Sequence, residues 1–218
     1  DTQVGPPRRL RWSASPVRAR SHEKSPSLTG MVSAGGRAFY IADEAPVSVG
    51  GKAPDRWVLT ARDAFSGVLL WKKPMGNWGW QAWSPEQPMN LRWGNPRFIN
   101  SRLVAAGDRV YVTLGYHAPV SVIDAASGTV LRTLAGTENS SEILFHKGKL
   151  IVSRAAKPAD STTSAPDLSI RVVDPATGKI EWRGTPMAAL ADNSARGKKN
   201  VLKQGRLMIA ADGNLVAA

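Results

Sequence analysis

The 218-residue chain contains no cysteine, which excludes a disulfide framework and every metal site built on thiolates. Long apolar runs are also missing. The longest, such as Val68-Leu69-Leu70-Trp71, extend over a handful of residues, whereas a membrane-crossing helix needs about 20, so no transmembrane segment is expected. Acids are scarce: 17 Asp and Glu stand against 29 Lys and Arg, a net charge of +12. No initiator Met and no charged-then-apolar leader open the chain at Asp1. What is present is ordinary for a globular core, with 42% hydrophobic and 21% charged residues.

The basic excess is unevenly placed. Residues 1–37 carry seven cations against two acids, and residues 191–218 carry five against two, so eight of the twelve excess charges lie near the ends. Such ends suit an anionic partner, or simply keep the protein soluble. Basic residues are not interleaved with aromatics on a repeated face, so nucleic acid is not an expected partner.

Self-similarity organises the chain. Three segments align: Thr60 to Trp71, Val122 to Arg132 and Val172 to Trp182, each an apolar run, then Asp-x-x-x-Gly, then a second apolar run. Upstream of each lies a glycine that opens another strand, at Gly36, Gly107 and Gly148, and a fourth copy opens at Gly205. Repeats of about 40 to 50 residues signify propellers or solenoids. Segments such as Val110-Tyr111-Val112 are rich in β-branched and aromatic residues, as strands are. In Asp-x-x-x-Gly the carboxylate can accept N–H groups two or so residues on, and glycine supplies a positive φ. Each unit therefore reads as four short antiparallel strands. The expectation is an all-β protein of about three and a half four-stranded blades in an open arc, the array cut inside its fourth unit. A basic leading segment (1–27) precedes units at approximately 28–75, 98–135, 142–185 and 200–218.

The motif Ala61-x-Asp63-x-x-x-Gly67-x-x-x-Trp71 resembles the tryptophan-docking motif of quinoprotein-type β-propellers, the quinoprotein alcohol dehydrogenase-like superfamily named for enzymes that carry pyrroloquinoline quinone (PQQ). The third copy keeps Asp174, Gly178 and Trp182 with Val172 in the Ala position; the second keeps Asp124 and Gly128 but has Arg132 where Trp is expected. The resemblance spans roughly residues 28 to 218 and implies that Trp71 and Trp182 pack flat between adjacent blades. The stretch Arg20-Ser21-His22-Glu23 and the repeats also resemble bacterial multi-repeat proteins with PQQ-like repeats and no defined role. For the dehydrogenases the resemblance implies a vicinal disulfide and a calcium ion held by Glu, Asn and Asp beside the quinone. This chain has no cysteine, its turn Asp residues are occupied by turns, and Asp212-Gly213-Asn214 reads as a hairpin tip. No cofactor is therefore expected from these residues; PQQ with calcium would depend on blades outside them. The same superfamily includes non-catalytic scaffolds, such as a lipoprotein that helps assemble outer-membrane barrels.

Strands running alternately up and down put both glycine-dependent hairpins on one face. The second-to-third-strand loops and the blade-to-blade connections share the other. That second face collects the irregular sequence: about 43–56, 115–119, 154–167 and the connection Pro74 to Pro96, which carries Trp78, Trp80, Trp83 and Trp93 with Arg92 and, just beyond it, Arg97. Clustered aromatics rimmed by arginine suit a planar ligand, a sugar or a peptide side chain, and equally suit the wedge between two blades. No catalytic or metal-ligating set emerges. His22, His117 and His146 are far apart, His22-Glu23 would point to opposite faces of a strand, and neither Gly-x-Ser-x-Gly nor a phosphate loop occurs.

The leading expectation is a non-catalytic binding or scaffolding propeller, part of a larger bacterial protein. It would partner the remainder of its own propeller and a protein or small-molecule ligand, with the bacterial envelope as its expected location. The alternative is part of a PQQ-dependent oxidoreductase whose catalytic residues lie outside this stretch.

Overall fold

The computed structural model describes residues 12–13, 28–45, 55–79, 82, 99–156, 167–184, 207–209 and 215–217. Blade 1 comprises β1 (Leu28–Ala34), β2 (Arg37–Asp43), β3 (Trp57–Asp63) and β4 (Leu69–Pro74). Blade 2 comprises β5 (Leu103–Ala106), β6 (Arg109–Thr113), β7 (Val120–Asp124) and β8 (Val130–Leu134), preceded by a 3-10 turn at Ile99–Arg102. Blade 3 comprises β9 (Ser140–His146), β10 (Lys149–Ala156), β11 (Asp167–Val173) and β12 (Ile180–Gly184). Each is an antiparallel sheet in sequential order, and β13 (Leu207–Ile209) pairs with β14 (Leu215–Ala217) to begin the fourth unit. The protein is all-β, a β-propeller architecture in which successive blades pack face on face.

Alternation along the strands produces that packing. In β6, Val110 and Val112 join a core with Phe39, Ile41, Leu59 and Ala61 of blade 1. Tyr111, one residue out of phase, joins the next core with Ile143, Leu150, Val152 and Val173 of blade 3. A strand of period two thus serves two cores, one on each side of its sheet. Tyr111 stacks on Phe145 with ring centroids 5.4 Å apart. Burial pushes its phenol pKa above the usual value.

Candidate functional site

The three Asp-x-x-x-Gly turns are nearly superposable in their bonding. Asp63 Oδ1 accepts the N–H groups of Phe65 and Ser66 at 3.0 and 2.7 Å, and Asp124 Oδ1 those of Ala126 and Ser127 at 3.1 and 2.9 Å. Asp174 Oδ1 does the same with Ala176 and Thr177, at 2.8 and 3.2 Å. Glycine closes each turn at a φ of 75°, 74° and 80° for Gly67, Gly128 and Gly178. The N–H and hydroxyl of Ser66 hold Asp63 below its ordinary carboxyl pKa, and Ser127 does so for Asp124. For Asp174 the first cause is the Lys149 ammonium, which donates to it at 2.9 Å and to Glu181 at 2.7 Å.

These turns form seats for the docking side chains. Trp71 donates from Nε1 to the Ala125 carbonyl at 3.1 Å and lies on Gly128 so closely that an added Cβ would be 2.7 Å from its Cδ2. Each docking residue pairs across the sheet with the motif's first position, Ala61 with Trp71, Val122 with Arg132 and Val172 with Trp182, beside a bulge in all three blades. Arg132 occupies the seat on blade 3 by another chemistry, donating from Nη1 to Thr177 O at 3.2 Å over Gly178. Trp182 is half exposed. Trp12 sits on blade 1 as Trp71 sits on blade 2: its Nε1 donates to Ala64 O at 3.0 Å, and a Cβ at Gly67 would be 2.6 Å from its Cδ2. Sequence reasoning assigned Trp12 only to a basic segment. The signal that could have found it is Leu10-x-Trp12-x-x-x-Pro16, which matches Ile180-x-Trp182-x-x-x-Pro186. Also overlooked was the basic residue one or two positions after each hairpin glycine: Arg37 and Arg109 lie opposite Asp63 and Asp124, and Lys149 donates to Asp174.

On the opposite face the connections are tied to one another. Gly76 N–H donates to Leu114 O at 2.7 Å, Tyr116 N–H to Asn77 O at 3.1 Å, and Asn139 N–H to His117 O at 3.3 Å. The short loop 114–119 of blade 2 is thereby clamped between the connections leading from blade 1 and to blade 3. Asn77 and Asn139, the two clamping residues, both adopt left-handed backbone (φ 45° and 59°), which asparagine tolerates better than most residues. Beneath the loop, Arg102 is buried, with its Nη1 donating to Tyr116 O at 2.6 Å and its guanidinium 4.3 Å from the Tyr116 ring centroid. Burial pulls the guanidinium below its usual pKa, a cost partly offset by Tyr116. Trp78 meets Tyr116 edge-on at 6.4 Å, and His117 meets it at 4.8 Å. His117 Nδ1 and Asn139 Oδ1 are hydrogen-bonded at 2.7 Å, and the imidazole stands at an exposed position.

Of the sequence-derived aromatic cluster, Trp78 is buried in the core shared by blades 1 and 2. Trp80, Trp83, Trp93, Arg92 and Arg97 lie outside the described residues. Among the described residues no three His, Asp or Glu groups converge as a cation site. The carboxylates are otherwise engaged: Asp43 Oδ1 accepts the N–H groups of Ala45 and Arg56, both at 2.9 Å, and Glu44 pairs with Lys72 at 2.7 Å.

No protein-family model matches the chain. No curated protein matches it. Among solved structures it is similar to BamB from Moraxella catarrhalis, 16% identical with a TM-score of 0.48, over 88% of this chain and 46% of that one. It is also similar to a quinohemoprotein alcohol dehydrogenase from Comamonas testosteroni, 18% identical with a TM-score of 0.44, over 80% of this chain and 22% of that one. A third, HIRA(644-1017), is 14% identical with a TM-score of 0.43, over 94% of this chain and 51% of that one. The chain spans about half or less of each. At these scores the fold assignment rests on the blades themselves.

Proposed function

We propose that this chain is a non-catalytic binding or scaffolding part of a β-propeller that presents its loop face to a protein partner. The observation that carries this reading is the clamped platform of Asn77, Tyr116, His117 and Asn139, in which the connections leaving blades 1 and 2 are each bonded through the main chain to the loop inside blade 2. A platform ordered before binding loses little conformational entropy on association. Exposed His117 and Asn77 offer polar contacts above an aromatic and guanidinium base. The test is a photo-reactive amino acid placed in the full-length polypeptide in its own cells, at Asn77 or His117 on the loop face and at Ser127 on the hairpin face. A discrete protein adduct from Asn77 and His117 but not from Ser127 is expected. Adducts at Ser127 alone, or at no position, overturn the reading. Quinone absorbance that stays with the protein through gel filtration after incubation with PQQ and calcium would also overturn it, in favour of the enzyme.

A further inference from the structure

Blade 3 brings three arginines to one face at its loop end. Alternation along β10 puts Arg154 on the same side as Leu150 and Val152, which join the core shared with blade 2. Register sets Arg154 opposite Ser169 on β11, Val152 opposite Arg171, and Arg171 in turn opposite Arg183 on β12. The two inner arginines reach the connection 135–139 that leads out of blade 2: Arg154 Nε donates to Glu138 O at 2.7 Å, and Arg171 Nη1 donates to Gly136 O. Arg183, at the outer edge, is exposed and makes no hydrogen bond or ion pair among the described residues. The repeat does not require this set. Three residues before the motif aspartate, the pair Arg171–Arg183 stands where blade 1 has Thr60–Lys72 and blade 2 has Ser121–Thr133. Like charges directly opposite each other weaken a sheet, and a local cost that the fold does not demand marks a functional position.

Charge and position identify the occupant. Glu138 is the acid that accompanies these cations, and its carboxylate already accepts the Gly136 N–H at 2.9 Å. Burial would raise that carboxyl, yet the N–H groups of Gly136 and Glu138 and the charges of Arg154 and Arg171 hold it below its usual pKa. Glu142 lies opposite Ser153, on the other face of the blade. Even with Asp167 at the start of β11 counted, cations outnumber acids here. Opposite Arg154, Ser169 Oγ is buried with no hydrogen-bond partner among the described residues, whereas a buried hydroxyl is normally bonded. The cluster is continuous with the platform. Glu138, whose carbonyl receives Arg154, precedes Asn139, which is bonded to His117 through both its N–H and its Oδ1. Guanidinium forks match carboxylates, so a polypeptide seated on the platform meets a surface suited to Asp and Glu. We propose that Arg154, Arg171 and Arg183 dock an acidic segment of the protein partner, an inference that rests on the platform reading given above.

The experiment is fluorescence anisotropy of a labelled oligoglutamate peptide, with oligoglutamine as its neutral control, titrated with the full-length polypeptide across a salt series. Binding of the glutamate peptide alone, weakening as salt rises, is expected. Arg171→Ser with Arg183→Thr installs the pair that blade 2 already carries, and circular dichroism verifies its fold. It should bind at least about tenfold more weakly, as should Arg183→Glu alone, which alters only an exposed position. Lys147→Asn with Lys179→Thr removes as much charge from the hairpin face and should leave affinity within about twofold. Equal losses from the two double variants overturn the proposal, as do absent binding at low salt and tighter binding of duplex DNA than of the peptide. The photo-reactive residue at His117 separates this inference from the platform reading. An adduct that persists in Arg171→Ser with Arg183→Thr leaves the platform standing and overturns the acidic segment. An adduct lost in that variant and regained with Arg171→Lys and Arg183→Lys supports both. No adduct in the parent protein overturns the platform reading, and the peptide titration then decides whether the arginines take an acidic ligand.

Discussion

Two glycines with the same backbone conformation should respond very differently to the same substitution. Gly128 and Gly178 both close an Asp-x-x-x-Gly turn in left-handed backbone, at φ 74° and 80°. Giving either a Cβ costs about 1–2 kcal/mol for that conformation alone. At Gly128 the new atom would lie 2.7 Å from Trp71 Cδ2 and 3.0 Å from Cγ and Cε3. These atoms are near the root of the indole, so it cannot escape by swinging its tip and must lift from the seat. The lift breaks the 3.1 Å bond to Ala125 O, worth about 1 kcal/mol, and loses packing worth roughly 1–2 kcal/mol. At Gly178 the nearest atom is Arg132 Cδ at 3.5 Å, an ordinary contact. Gly128→Ala should therefore destabilise by about 3–5 kcal/mol and Gly178→Ala by about 1–2 kcal/mol, read from urea unfolding followed by circular dichroism. In a Trp71→Leu background the excess at Gly128 should shrink toward the value at Gly178. Equal costs for the two alanines, or an excess indifferent to Trp71, would show that the indole does not hold the blades together through this seat.

Arg132→Trp should place an indole on Gly178 and raise stability by about 1 kcal/mol; a loss would mean that the third seat is shaped for arginine. Trp78→Ala should cost about 3–5 kcal/mol, because Trp78 is buried in the core shared by blades 1 and 2, and a cost below 1 kcal/mol in the same unfolding assay would contradict that placement. Acid should weaken the fold in a defined window. Asp63, Asp124 and Asp174 are all held below their ordinary pKa of 3.8. Their contribution is complete above that value and is lost as pH falls through the lower folded-state values. Stability measured against pH should thus be flat from neutrality to about 4, then drop, and Asp124→Asn should make the drop shallower.

The unit, its four strands and its two glycine-dependent hairpins were legible in the sequence because each depends on neighbours in the chain. An Asp side chain reaches N–H groups two and three residues away, and a glycine adopts positive φ regardless of distant contacts. The division into a hairpin face and a loop face followed from alternating strand direction. The platform was not legible. Tyr116, His117 and Asn139 became a group only when the loop inside blade 2 met the connection leading to blade 3, and His117 looked solitary because its partner lies 22 residues away. Trp78 was legible as an aromatic in a long connection, but only the packing of two blades placed it in a core.

Local chemistry in the sequence alone determined that this protein is a repeating all-β array with Asp-x-x-x-Gly seats at fixed spacing. Which side chain fills each seat was decided by tertiary structure, since a seat and its occupant belong to different blades. Trp71 reaches Ala125 from 54 residues away, Trp12 reaches Ala64 from 52, and Arg132 reaches Thr177 from 45. Exposure was decided the same way: Phe65 and Phe39 are the same residue type, yet one stands on a turn in water and the other is sealed between two sheets.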